Sequence, residues 1–378
     1  MITKSFKVLS LLIVIASFLG CEKINDPYLY EDELGVSWKE MADRSTDVLL
    51  SQFWNSEEHY FNYGNNNSNL DFHYWPNAHA MDVVIDAFLR TKDEEFEKYF
   101  QQWFEGVRIK NGNTYYNNFY DDMQWNALTT LRLYNVTNEQ VYLDVTIDLW
   151  KDIIKGWNEE FAGGGIAWEK QQLYSKNACS NGPASILAAR LYNVTGDEEY
   201  LDWSQKIYEW QKNTLFNRVT GAVYDNINGQ TDEINTVSLT YNQGTFLGAA
   251  VELYKITQNP VYLNDSQKTA NYTLTKCIDA ANNVLRDEGS GDGGLFKGIF
   301  MRYLVQYLQI EEGDEAFRLK FESFLKNNAK IAWTKGTNPD LLLFGPNWAE
   351  VPIGQTTQLT SQISAAMLFE QASFYEND

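Results

Sequence analysis

Two acids stand side by side at Asp121 and Asp122, inside the segment NNFYDDMQWNAL (117–128). Paired carboxyl groups suit hydrolysis of a glycosidic bond, in which one attacks or activates water and the other protonates the departing oxygen. Neighbouring residues of a strand point to opposite faces, whereas at a helix start both side chains can reach one cleft. There, helix N–H groups favour an ionised carboxylate, and its charge raises the proton affinity of the second acid. The same pair also fits a helix cap followed by a solvated acid, so its surroundings decide between the two readings. Tyr120 and Trp125 flank it and offer a platform for a sugar ring. Aromatic residues make up 15% of the chain, including 12 Trp and 23 Tyr, a composition that suits stacking on sugars as well as filling a core.

Other chemistries find less support. His59, His73 and His79 have no zinc-ligand spacing, and no metal or cofactor is expected. The run Gly163-Gly164-Gly165 lacks the lysine and the strand context of a phosphate loop and predicts close backbone approach in a cleft wall. A formal net charge of −21 offers no basic stripe and speaks against nucleic acid. Beyond Cys21, only Cys179 and Cys277 remain. They could pair in an oxidising compartment, but two buried free thiols are the expectation.

The elements that position the acids follow from an internal repeat. YNVTNEQVYL from Tyr134, YNVTGDEEYL from Tyr192 and YKITQNPVYL from Tyr254 are close copies, and FLRTKDEEFE from Phe88 and LQIEEGDEAF from Leu308 looser ones. Each follows a helical pattern, such as Met81, Val84, Ile85, Phe88, and precedes a longer amphipathic one. The repeat is therefore a tight helix-to-helix turn, with Thr, Gly, Asn or Asp closing one helix and capping the next. Helices near 37–54 and 360–374 complete a set of about twelve.

Connections alternate between these short turns and long segments at 55–76, 108–120, 161–180, 214–241, 282–296 and 336–359. With outer and inner helices alternating, every long segment leads into an inner helix, and all six gather at one end. The expected architecture is an all-α (α/α)6 barrel with a loop-walled cleft and almost no strand. An open helical solenoid is the structural alternative.

At the amino terminus, Lys4 and Lys7 precede an apolar stretch, Val8 to Phe18, too short to span a bilayer, followed by Leu19-Gly20-Cys21. Residues 1–20 read as a lipoprotein signal peptide, Cys21 as the lipidated residue, 21–36 as an acidic tether and 37–378 as a single domain. An exported protein anchored by lipid to a bacterial outer membrane, facing the cell surface or the periplasm, is the expectation.

The motifs YDDMQW (120–125), WPNAHAMDVVIDAFLRT (75–91), GGGIAW (163–168), KNACSNGPA (176–184), YNQGTFLGA (241–249) and FKGIFMRYL (296–304) closely resemble glycoside hydrolase family 76, the bacterial endo-α-1,6-mannanases and related fungal cell-wall proteins. The resemblance covers roughly residues 37–375. It implies an endo-acting, retaining hydrolase of the α-1,6-mannan backbone, with Asp121 the nucleophile and Asp122 the acid/base. Trp75, His79, Asp82, Asn177, Asn181, Tyr241 and Gln243, before or at the start of inner helices, are candidates to hold mannose hydroxyls beside Tyr120 and Trp125. A neutral histidine satisfied within the core is an equal reading of His79. Cys179 stands where an aliphatic residue is typical and reads as a core variation without effect on the chemistry. The rivals are a helical surface glycan-binding lipoprotein, which needs no acid pair, and a transglycosylase on the same scaffold.

Overall fold

The computed structural model describes residues 35–338 and 340–374. The signal peptide, Cys21 and nearly all of the tether lie outside the described residues. The chain divides at Ser37/Trp38, and the architecture below belongs to Trp38–Asp378.

Twelve helices of more than one turn run through the described residues: α1 (Trp38–Phe53), α2 (Tyr74–Thr91), α3 (Glu97–Lys110), α4 (Tyr120–Thr137), α5 (Gln140–Ile153), α6 (Ala178–Thr195), α7 (Glu198–Thr214), α8 (Thr240–Thr257), α9 (Pro260–Lys276), α10 (Gly293–Leu308), α11 (Glu315–Lys335) and α12 (Leu359–Ser373). The even-numbered helices pack each on the next, and α12 closes on α2. The result is a ring of six inner helices with an outer helix against each, the (α/α)6 barrel that the alternation of connections predicts. Burial separates the layers. Inner α12 is buried along its whole length, whereas outer α3 buries only Phe100, Trp103, Phe104, Gly106 and Val107. A helix with no polar face fits only where neighbours cover it all round.

The repeat builds the turns at the far end of the ring from the cleft. Lys92, Asn138, Gly196 and Gln258 each take a left-handed conformation and donate N–H to the carbonyl of Phe88, Tyr134, Tyr192 and Tyr254. The threonine before each is double-jointed. Thr91, Thr137, Thr195 and Thr257 donate Oγ1–H to the carbonyl four residues back and accept from the N–H two residues ahead. Asp93, Asp197 and Asn259 then cap the following turn. The looser fifth copy lacks the left-handed residue, and Asp314 alone caps α11 through the N–H groups of Ala316 and Phe317.

Among the described residues the long connections contain seven strands of two or three residues, a departure from pure helix that the helical periodicity does not register. Hydrogen bonds join each connection to its spatial neighbour. Tyr74 Oη donates to Tyr115 O (2.6 Å), Lys170 N to Asn118 O (3.1 Å) and Arg286 Nη2 to Ser238 O (2.6 Å). The strand Ser175–Asn177 pairs antiparallel with the strand Asn226–Asn228. Gly291 N donates to Gln358 Oε1 (2.6 Å), and Asn65 Nδ2 to Gln355 O (2.9 Å). The six connections thus form a closed crown around the amino-terminal ends of the inner helices.

Candidate active site

Helix α4 begins inside this crown. Phe119 is extended before it (φ −91°, ψ 128°), and Tyr120 N donates to Trp168 O (2.9 Å), fixing the helix start against the loop after α5. Asp121 and Asp122 fall in the first turn, both half-buried. Cys179, the second residue of α6, places its thiol 3.3 Å from Asp121 Oδ2, while Asp121 Oδ1 is buried with no hydrogen-bond partner in the protein.

Burial pushes Asp121 up to about 6, against the opposing pull of Cys179, the α4 backbone and the Trp168 indole. Asp122 is driven well above the ordinary carboxylate range by burial and then by the charges of Asp121 and Asp292. Two acids so close titrate as a pair, and their surroundings favour the anion on Asp121 and the proton on Asp122.

Around the pair, Trp75 is half-exposed and donates Nε1–H to Asp292 Oδ1 (3.2 Å). Tyr241 stacks on Phe296 with ring centroids 3.9 Å apart and planes within 6°, joining α8 to α10 at the cleft. Asn177 stands extended directly before α6, is half-buried and makes no side-chain capping hydrogen bond. His79 lies between Trp75 and Trp125, 5.5 and 4.6 Å from their rings. It is 2% exposed, and neither ring nitrogen has a partner. Burial lowers its pKa to about 3 and keeps it neutral. The histidine is in the core as one reading expected, but it is not satisfied there.

Other candidates serve the scaffold. Asn181 Oδ1 accepts from Ile166 N, and its Nδ2 donates to Ile166 O and Asn177 O. Gln243 treats Val223 in the same way, with Nε2 on Val223 O and Oε1 accepting from Val223 N and Thr269 Oγ1. Asn77 on α2 clamps both backbone groups of Phe61, and Gln362 on α12 accepts from Phe344 N and donates to Leu342 O. One buried amide on each of four inner helices thus grips the arriving loop. With their donors and acceptors engaged, Asn181 and Gln243 are loop clamps rather than sugar ligands. Tyr120 is buried against Gly156 and Ile166, and Trp125 is 3% exposed, so both support the wall instead of lying open as platforms.

Asp82 faces the other way. Its Oδ1 is 2.7 Å from Arg132 Nη1, and with Asp86, Arg190, Glu252 and Arg302 it lines a cavity of about 380 Å³ on the barrel axis, toward the carboxy-terminal ends of the inner helices. His79 and Trp125 also line that cavity. Three residues of the cleft escaped sequence reasoning. Asp292 directly precedes the inner helix α10, a position that was itself a signal, whereas Asp225 lies within the long connection before α8. Asn242 donates Nδ2–H to Asp225 Oδ1 (2.9 Å) and leaves its own Oδ1 unpartnered. Cys179 is corrected as well, since a thiol on an Asp121 oxygen bears on the chemistry.

The glycine run behaves as a close-approach device. Gly165 has φ +82°, and a Cβ there would meet the Trp210 indole at 2.6 Å. Cys179 and Cys277 are free and buried. Among the described residues no three His, Cys, Asp or Glu side chains cluster to hold a metal ion, and no helix is long and apolar enough to cross a membrane.

The sequence matches the family model for glycosyl hydrolase family 76 over residues 37–378. Among curated proteins, mannan endo-1,6-alpha-mannosidase DCW1 of Saccharomyces cerevisiae is 28% identical over 179 residues, 44% of this chain and 40% of that protein. Its namesake in Eremothecium gossypii is 24% identical over 300 residues, 75% of this chain and 58% of that one. The matches thus span about two fifths to three fifths of those relatives' length. Among solved structures, the GH76A alpha-1,6-mannanase from Salegentibacter sp. is 40% identical with a TM-score of 0.86, covering 90% of this chain and 100% of that one. An inactive variant of that enzyme, with two adjacent aspartates replaced by alanine and alpha-1,6-mannotetrose bound, superposes with a TM-score of 0.87 at 39% identity, again over 90% of this chain and 100% of that one.

Proposed function

The chain belongs to glycosyl hydrolase family 76, and from that premise we propose that it is an endo-acting, retaining hydrolase of α-1,6-mannosidic bonds in the mannan backbone. The observation that carries this reading is the acid pair at the start of α4, one carboxyl favouring its anion and the other its proton, inside a closed crown of loops. The Salegentibacter variant that lacks an adjacent aspartate pair is inactive and holds an α-1,6-linked oligosaccharide, which supports the same substrate and the same role for two neighbouring acids.

In this mechanism Asp121 Oδ1, which has no protein partner, attacks the anomeric carbon while Asp122 gives its proton to the leaving glycosidic oxygen. The bond to that oxygen breaks as the glycosyl–Asp121 ester forms. Asp122, now ionised, takes a proton from water, which attacks the same carbon and releases Asp121. Two inversions leave the product α-configured. The order of protonation fits the electrostatics, because ester formation removes the Asp121 charge that holds the proton on Asp122, so Asp122 gives up its proton and stands ionised as the general base for the second step.

The test is release of reducing ends from linear α-1,6-mannan, with proton NMR of the product in the first minutes. The α-anomer should appear first. Initial β-anomer means inversion and rejects the nucleophile assignment, and no release at all favours a glycan-binding protein. The Cys21 anchor belongs to the same proposal. It is supported by the basic and apolar leader before it and predicts that Cys21→Ala shifts the protein out of the detergent phase.

A further inference from the structure

We propose that Cys179 is a positioning residue for the hydrolytic reaction: its thiol holds Asp121 Oδ2 and leaves Oδ1 aimed at the anomeric carbon. The inference rests on the reading of Asp121 as nucleophile. It starts from the distance of 3.3 Å between Sγ and Oδ2 and from the contrast between the two oxygens, one bonded and the other buried without a partner.

Cys179 is 3% exposed and sits at the amino-terminal end of α6, across the cleft from the first turn of α4. A free carboxylate turns about its last torsion, and near-attack geometry requires that turn to be fixed. The Cys179 thiol, 3.3 Å from Oδ2, supplies a donor that fixes it. The donor is a weak one, but it does not lose its proton. Burial first, then the charges of Asp121 and Asp225, push the thiol well above its ordinary range. An aliphatic side chain of similar volume would fill the space and leave Oδ2 without the thiol donor.

The other groups that bear on the pair are Asp122 on the same helix, Tyr74 from α2, Asp292 at the start of α10, and Trp168, Asp225 and Tyr241 around the thiol and the nucleophile. Burial opposes the Asp121 anion, while the charge of Asp292 acts on Asp122 and that of Asp225 on the thiol. The backbone N–H groups, Trp168 and Cys179 favour the anion. Losing one of so few supporting groups should be visible in the pH dependence.

The acidic limb of kcat/KM on linear α-1,6-mannooligosaccharide reports ionisation of the nucleophile in the free enzyme. Cys179→Ala should move that limb upward by about half to one pH unit, with activity on the alkaline side of the limb less affected. Cys179→Ser, which restores a donor, should return it to the wild-type position or below. A purely structural role would lower Tm and activity at every pH and leave the limb in place in both variants, which overturns the proposal. A second readout is independent of turnover. The infrared S–H stretch, followed as the difference between unaltered protein and Asp121→Ala, should shift to higher wavenumber when the acceptor is removed. An unmoved band overturns the proposal, whereas a shifted band in a protein that cuts no mannan overturns the functional reading alone.

Discussion

Asp121 and Asp122 are consecutive residues in one helical turn, yet their neighbours shift their proton affinities differently. If Asp121 is the nucleophile, Asp121→Asn should abolish turnover on every mannoside, because no leaving group replaces a missing attack. Asp122→Asn should cost at least about 100-fold on mannan but much less on an aryl α-mannoside with a good leaving group, where protonation matters little. Comparable losses on both substrates would reject the division of labour. The same burial that tunes the pair costs stability. Asp121 titrates near 6 in the folded protein, above its unfolded value of about 3.8. The folded state therefore holds the proton more tightly, and ionising the buried acid destabilises the fold in full above pH 6, progressively less down to pH 4, and not at all below it. Asp121→Asn should accordingly raise stability at pH 7 by about 1–3 kcal/mol, with the gain vanishing near pH 4. Thermal melts of both proteins at the two pH values decide it, and a gain that persists at pH 4 would point to another cause.

Each inner helix is a rod with one end in the crown, and on four of them a buried amide holds a loop to that end. Asn181 satisfies the N–H and C=O of Ile166, two residues before Trp168, which packs at the start of α4. Asn181→Ala leaves the Ile166 N–H buried and unpaired, while Ile166 O keeps the Ser180 hydroxyl, at a cost of about 1–3 kcal/mol for the orphaned group. Amide exchange should rise across 163–168, and kcat/KM should fall together with Tm. Unchanged exchange there would show that the loop is held by other means. Packing between the rods is equally tight. A Cβ on Gly298 of α10 would lie 2.8 Å from Ser364 Cα on α12, so Gly298→Ala should destabilise by about 1–3 kcal/mol by forcing two inner helices apart.

The barrel is complete only where its last helix meets its first. Glu370 on α12, 1% exposed, accepts from Arg90 Nε (2.8 Å) and Nη2 (3.0 Å) on α2 and from Thr46 Oγ1 (2.8 Å) on α1, and Arg90 reaches on to Asp43 (2.7 Å). Arg90→Ala strands a buried carboxylate and should cost about 3–5 kcal/mol. Replacing both partners, as in Arg90→Met with Glu370→Gln, should cost less than Arg90→Ala alone, because no uncompensated charge remains. Equal losses in urea unfolding would mean that packing rather than charge closes the ring.

The repeat was legible because every hydrogen bond that makes it, from Thr137 to the N–H of Glu139 for example, spans a few residues. Helical periodicity, the alternation of short and long connections, and the placement of two adjacent acids at a helix start are local for the same reason, and they were enough to determine an (α/α)6 barrel and its catalytic end. The seven short strands were not legible, since two or three residues carry no periodicity. Nor was the difference between an amide that grips a loop and one free to meet a ligand: Asn181 looked like a sugar ligand until the course of the loop brought Ile166 onto it. Distance along the chain explains what was missed. Cys179 meets Asp121 across 58 residues, Asp292 meets Trp75 across 217, and Arg90 meets Glu370 across 280. Sequence alone determined which side chains could do chemistry. Closure of the ring decided which of them face the same space, because a contact between distant segments forms only when every helix between them has taken its place.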